Sequence, residues 1–260
     1  MGYIASALIG LSLGLIGGGG SILTLPVLVY LFHIPPITAT AYSLFVVGLT
    51  SLVGAWSKYR SGAVDIRTAA VFGLPSVVSV YLTRRFLVPL IPEQLFSVGD
   101  HIVTGSAAIM LLFGFIMLPA SIYMILRSDK SFRPGQARVH LRYPLVILEG
   151  ILVGALTGLV GAGGGFLIIP ALVLLGGLSM DIAVGTSLLI IAAKSLIGFT
   201  GDLTGLSIDW SILLPITGLS LAGFYVGNRL SLRTPATLLQ QVFGWLVLAM
   251  GIYVIVKELL

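Results

Sequence analysis

The chain has 260 residues, 57% of them hydrophobic, only 9% charged and none cysteine, with a formal net charge of +5 and a mean hydropathy of +1.12. A soluble domain carries about 25% charged residues, so a soluble core is excluded, and the missing cysteines exclude disulfide and thiolate chemistry. The basic residues sit in loops between apolar runs, which is the pattern of positive-inside membrane topology and not of nucleic-acid binding. A β-barrel would need alternating segments of ~10 residues, and none are visible.

From Gly2 to Phe32 there is no charge. One straight helix over that run would be ~46 Å long at 1.5 Å per residue, against a hydrocarbon core of ~30 Å. Inside it lies Gly14-Leu15-Ile16-Gly17-Gly18-Gly19-Gly20-Ser21, with Pro26 beyond. A helix broken at these glycines and folded back as a hairpin of short halves fits the length best. His33 to Pro36 makes a turn. Thr38 or Thr40 then caps a span that runs to about Ser57. A basic loop with Lys58, Arg60 and Arg67 leads to a third span, Thr68 to Thr83, kinked at Pro75 and ending on Arg84-Arg85. Pro89 and Pro92 break a short apolar piece, and a fourth span runs from about Ile102 to Leu126.

The long polar segment that follows holds Arg127, Lys130, Arg133, Arg138 and Arg142 against one acid, Asp129. It reads as a cytoplasmic linker. Gly150 to Met180 is again uncharged, and spans near Ile182–Gly201, Trp210–Asn228 and Ala236–Val256 complete the chain. The organisation is a membrane repeat over 1–126, a basic linker over 127–143 and a second membrane repeat over 144–260.

The second half restates the first. At a constant offset of 144 residues Gly14, Gly17, Gly19, Gly20 and Pro26 align with Gly158, Gly161, Gly163, Gly164 and Pro170. Ser43, Ser51, Asp65, Tyr81 and Arg85 align with Ser187, Ser195, Asp209, Tyr225 and Arg229. The expected fold is an all-α polytopic membrane protein of two homologous repeats, each a glycine-broken, re-entrant-like hairpin followed by three further spans. The loop after the second span is basic, whereas its counterpart carries Asp202 and Asp209 and no base. With the linker inside, inverted repeats put Lys58–Arg67 and Arg229–Arg233 inside and the acidic loop outside, whereas parallel repeats place the last two the other way. The inverted count satisfies the positive-inside rule better, although it leaves Arg84 and Arg85 outside.

Glycine-broken backbone within a bilayer is tolerated only where it is buried in protein or lines a cavity. Where the helix resumes, at Ser21 and at Phe166, free amides and the positive end of the helix dipole make an anion site. The candidate substrate-binding residues are therefore Gly17, Gly18, Gly19, Gly20 and Ser21 in one half and Gly161, Ala162, Gly163, Gly164 and Gly165 in the other. The two termini are expected to face one another near the midplane. Close helix packing is the competing explanation, and it suits Gly10 with Gly14 and Gly154 with Gly158. No Gly-Lys-Ser/Thr follows either cluster, so a phosphate loop is excluded.

Lys194 stands in an otherwise apolar run, where a lysine costs at least a few kcal/mol. It is expected to face the site and meet an anion; the competing role is an interfacial lysine that snorkels. Ser43, Ser51, Ser187 and Ser195 are hydroxyl donors paired by the repeat, with Thr186 as a weaker companion. Asp65 and Asp209 read as helix caps, and proton coupling through Asp202 is a lesser possibility. His33, His101 and His140 lack metal-ligand spacing, and no nucleophile stands with a base. Neither an enzyme, a cofactor nor a metal site is implied.

The glycine-rich segments, the following prolines, the duplication and the basic central loop resemble the TauE/SafE family of sulfite and organosulfonate exporters. The run ending Ala183-Val184-Gly185-Thr186-Ser187 is similar to the family's pattern, and Ala39-Thr40-Ala41-Tyr42-Ser43 is a looser match. The resemblance covers essentially the whole chain. It implies a multi-pass permease of the inner (plasma) membrane that exports a small sulfur-containing anion such as sulfite, sulfoacetate or thiosulfate, with no nucleic-acid partner and with a homodimer as one open assembly. An anion channel could use the same helix termini.

Overall fold

The computed structural model describes residues 2–92, 94–98, 101–127, 143–174, 176–203, 205–231 and 236–259. The linker read at 127–143 falls outside the described residues from 128 to 142, as does Arg233.

Helix α1 (Gly2–Ile16) gives way to a 3-10 stretch, Gly17–Leu23, and then to α2 (Thr24–Tyr30). Ser12 Oγ lies 3.4 Å from the carbonyl oxygen of Gly20, eight residues on. A continuing helix would have separated them by ~12 Å, so the chain doubles back at the glycines. In the second half α6 (Tyr143–Val160) and α7 (Gly165–Leu174) flank a break at Gly161–Gly164. There Gly164 packs on Thr157 as Gly20 packs on Leu13, which is the same contact 144 residues later.

The remaining helices are α3 (Pro36–Arg60), α4 (Ile66–Leu82), α5 (Gly105–Arg127), α8 (Met180–Asp202), α9 (Trp210–Ser231) and α10 (Ala236–Leu259). Among the described residues five helices are long and apolar enough to cross a bilayer: Pro36–Arg60, Ile66–Leu90, Gly105–Leu126, Met180–Asp202 and Trp210–Ser231. Shorter apolar helices cover Gly2–Ile16, Gly20–Tyr30 and Pro144–Val160. Outward faces carry Leu8, Trp56, Leu74, Val78, Leu214 and Trp245, all exposed. Such a surface suits a hydrocarbon solvent rather than water.

Local chemistry moves several expected boundaries. Neither Thr38 nor Thr40 caps α3: Pro36 occupies its first turn after Pro35, whose side chain makes no capping bond. A proline there supplies a helix-ready φ and needs no donor. Asp65 caps α4 by accepting the Thr68 amide at 3.0 Å, and Asp209 accepts the Ser211 amide at 2.9 Å. The fourth span begins at Gly105, not Ile102, because Gln94–Val98 and His101–Thr104 pair as an antiparallel hairpin with Val98 opposite His101. Phe96, Val98, Ile102, Val103 and Thr104 are strand formers, and the helical run before them passes through Pro89 and ends at Leu90, ahead of Pro92.

Packing is organised across the halves. Helix α1 lies on α9, α4 on α6, α3 on α8 and α5 on α10. Gly10 touches the Ser220 backbone, and Gly154 touches that of Ser76. Gly17 meets Val184, and Gly161 meets Thr40. The Asp65 amide donates to Thr186 Oγ1 at 2.9 Å, and the Asp209 amide donates to Tyr42 Oη at 2.6 Å. Each contact recurs 144 residues on with its partners exchanged. Helices α3 and α8 run antiparallel, with Gly48 against Leu196, Gly54 against Leu188 and Gly185 against Lys58. Leu13, Leu25, Leu28, Leu44 and Ile191 are fully buried between these layers.

Candidate functional site

The two breaks meet. A Cβ placed on Gly165 would fall onto the Gly18 carbonyl, and one on Gly163 would lie 3.3 Å from Ser21 Cβ. Val47 and Ile191, themselves 144 residues apart, close over the junction: each has a methyl against Gly163. Ser187 Oγ sits 3.5 Å from where a Gly18 Cβ would be. The structure therefore gathers Gly17, Gly18, Ser21, Gly163, Gly164, Gly165 and Ser187 at one centre. Glycine is required here by direct backbone contact, so in this conformation Gly18 and Gly165 leave no room between them.

The breaks are not equivalent. In the second, Gly161, Gly163 and Gly164 have φ of 70°, 66° and 71°, whereas in the first only Gly17 does, at 73°. Three left-handed residues interrupt the helix outright, and α7 starts afresh at Gly165 rather than at Phe166. In the first half the helix does not resume at Ser21. Gly17–Leu23 stays coiled as 3-10 helix and runs into α2 at Thr24, whose amide donates back to the Ser21 carbonyl. Amides that bond backward offer nothing to a ligand, so the first half lacks the expected free helix end; at α7 the Leu167 and Ile168 amides also bond back, both to the Gly164 carbonyl. Gly19 lies within the coiled stretch, Gly20 is spent on packing against Ser12 and Leu13, and Ala162 is buried in the core.

Lys194 comes to the intact break. Its side chain is wholly buried, and Nζ donates to Thr157 Oγ1 at 2.9 Å. It lies 2.9 Å from where a Cβ on Gly164 would stand. Thr157 Oγ1 in turn donates to the Val153 carbonyl at 2.7 Å. Among the described residues no carboxylate is within ion-pair distance of Lys194. The snorkelling alternative is thereby removed, since a snorkelling amine would reach the surface.

The hydroxyls divide. Ser21 Oγ donates to the Gly18 carbonyl at 3.0 Å, and Ser187 Oγ donates to that of Val184 at 2.8 Å. Thr186 is not at the breaks: it accepts the Asp65 amide and ties the loop before α4 to α8. Ser43, Ser51 and Ser195 are fully buried, and their Oγ atoms lack any partner. An orphaned buried hydroxyl costs about 1–3 kcal/mol, which a ligand or water could recover.

One buried cluster escapes a reading of the sequence. Arg84, in a π turn at Thr83–Leu87, is 1% exposed. Its Nε and Nη2 stand 2.7 and 2.6 Å from Asp202 Oδ2. Nη1 donates to Thr40 Oγ1 at 2.8 Å and to the Gly158 carbonyl at 3.2 Å. The sequence signals were a charge pair at the end of an apolar span and a carboxylate closing another.

Broken helices meeting at the centre of a bundle, with basic side chains buried beside them, define a multi-pass membrane transporter. The chain belongs to the sulfite exporter TauE/SafE family, whose pattern it matches over residues 3–254. It is 31% identical over 255 residues to a probable membrane transporter protein of Xylella fastidiosa strain 9a5c, covering 96% of this chain and 92% of that one. It is 29% identical over 233 residues to the probable membrane transporter protein YdhB of Bacillus subtilis, with 90% of each chain covered. A probable membrane transporter protein of Methanocaldococcus jannaschii is 26% identical over 270 residues, covering 97% of this chain and 93% of the other. No solved structure matches the chain.

Proposed function

We propose that the protein is a secondary transporter that exports a small sulfur-containing oxyanion, such as sulfite, thiosulfate or an organosulfonate. Substrate binds at the second glycine break, where the first turn of α7, Lys194, Thr157 and the orphaned hydroxyls of Ser43, Ser51 and Ser195 supply donors as the breaks separate. The observation that carries the reading is Lys194, wholly buried in an apolar helix with a threonine hydroxyl as its partner. An arriving anion supplies a counter-charge to Lys194, which has no carboxylate within ion-pair distance among the described residues. The printed description of the family as sulfite exporters supports the substrate class.

Two repeats, 1–126 and 144–260, joined by the cytoplasmic linker, would rock about this centre in alternating access. Inversion of the repeats is supported by α3 and α8. Equivalent helices stay parallel when a two-fold axis runs along the membrane normal and become antiparallel when it lies in the membrane plane, and here they are antiparallel. The direct contact of Gly18 with Gly165 favours a carrier caught closed over a channel. Export of a monovalent anion from an inside-negative cell runs downhill by ~2.3 kcal/mol per 100 mV, so it needs neither ATP nor a coupling ion.

Efflux from proteoliposomes loaded in turn with sulfite, thiosulfate, sulfoacetate and sulfate tests the assignment. At least one of the first three is expected to leave at a saturable rate that rises with an inside-negative potential. Leakage at the protein-free rate for all of them sinks the substrate class.

A further inference from the structure

We infer that Arg84 is a second oxyanion station on the path through the molecule, and that the Asp202 carboxylate occupies it in this conformation. The inference rests on the anion reading of the Lys194 site and extends it toward the C-terminal end of α8. Arg84 donates Nε to Asp202 Oδ2 at 2.7 Å, while Nη2 stands 2.6 Å from the same oxygen without making a hydrogen bond to it. Its Nη1 reaches Thr40 Oγ1 and the Gly158 carbonyl, and Thr40 presses on Gly161, the first residue of the second break. Lys194 reaches the other end of that break through Thr157 and Gly164. Two buried basic side chains thus bracket one break, each joined to it by a threonine. Eight residues of α8 separate Lys194 from Asp202, a rise of ~12 Å. The charged ends come closer than that, because Lys194 Nζ bonds Thr157 and Arg84 Nη1 bonds the next residue, Gly158, so an anion released by one cation is handed directly to the other.

The arrangement is present at one end of the molecule alone. At the 144-residue offset Arg84 corresponds to Asn228, Asp202 to Lys58 and Lys194 to Thr50. Stability does not explain such a pair, because a buried ion pair contributes little beyond an apolar pair of similar volume. The fork chemistry does. A guanidinium presents parallel N–H groups that match two oxygens of one anion, yet here only Nε hydrogen-bonds the carboxylate and Nη2 is left without a hydrogen-bond partner. A sulfonate or sulfite offering an oxygen to each makes the better fit. An anion leaving Lys194 exchanges with the Asp202 carboxylate at Arg84, and the return of that carboxylate expels the anion outward.

The test compares wild type, Lys194→Ala, Asp202→Asn and Arg84→Lys, using thiosulfate and sulfite as separate probes in calorimetric binding and proteoliposome efflux. Asp202→Asn removes the resident competitor and is expected to bind the probe at least tenfold more tightly. Arg84→Lys keeps a charge opposite Asp202, and with it the fold, but cannot present paired N–H groups; efflux is expected to fall at least tenfold at an unchanged melting temperature. Wild-type efflux from Arg84→Lys, or unchanged or weaker binding by folded Asp202→Asn, overturns the station and leaves a structural tie. Absence of probe binding in wild type overturns the Lys194 reading together with this one. Binding that Lys194→Ala abolishes, alongside wild-type efflux from Arg84→Lys, overturns the Arg84 station alone.

Discussion

Gly165 is where the smallest side chain has the largest consequence. A Cβ there would overlap the Gly18 carbonyl, which is backbone and cannot swing aside. Gly165→Ala is therefore expected to lose about 1–3 kcal/mol of stability or to hold the breaks apart. Gly218→Ala, with nothing within 4 Å of its Cβ, is expected to be neutral or slightly stabilising, as helix propensity alone dictates. Thermal denaturation of both variants in one detergent checks the contrast, and equal melting temperatures would count against the contact. At this scale the sequence exposed Lys194, because a charge in an apolar run stands out whatever the fold. Thr157 and the Arg84–Asp202 pair stayed hidden. Their partners lie 37 and 118 residues away, and only the packing of four helices brings them together. Arg84 weighed against the inverted count as an unexplained positive charge, and its burial against the Asp202 carboxylate gives that charge a partner within the protein.

The broken hairpins and α3 with α8 are the elements that position the site. Both breaks were legible, since glycine runs and charge-free lengths are local properties. Their inequality was not, because Gly17–Gly20 and Gly161–Gly164 differ little in composition while one coils as 3-10 helix and the other uncoils. The hairpin before α5 was missed for the same reason: apolar strand formers next to a span read as more span. The antiparallel contact of α3 with α8 has a direct check, because the chain has no cysteine to interfere. Paired cysteines at Gly48 with Leu196 and at Gly54 with Leu188 are expected to cross-link on oxidation. A Gly48 and Leu188 pair is expected to stay reduced, and cross-linking of that pair in preference to the others would refute the register.

At the scale of the whole molecule the duplication was plain in the sequence, whereas the exchange of partners between halves was not. A repeat at fixed offset is visible by alignment; α1 packing on α9 and α6 on α4 is a consequence of how the halves interlock. The proposed inversion makes the two ends of the bundle chemically different, with Lys58 and Arg60 at the cytoplasmic end and the loop after Asp202 at the other. Gly205→Cys is expected to react with a membrane-impermeant maleimide from the outside, and Gly62→Cys only from the inside. Reaction of both from the same side would require parallel repeats.

The central claim is that a buried amine at the second break receives a small oxyanion. Counterflow through proteoliposomes preloaded with unlabelled substrate, comparing wild type with Lys194→Ala, tests it most directly. With a sulfur oxyanion from the efflux panel, wild type is expected to show transient accumulation of label above equilibrium, and the variant to lose it at least tenfold while still folded. Undiminished counterflow in Lys194→Ala would contradict the account.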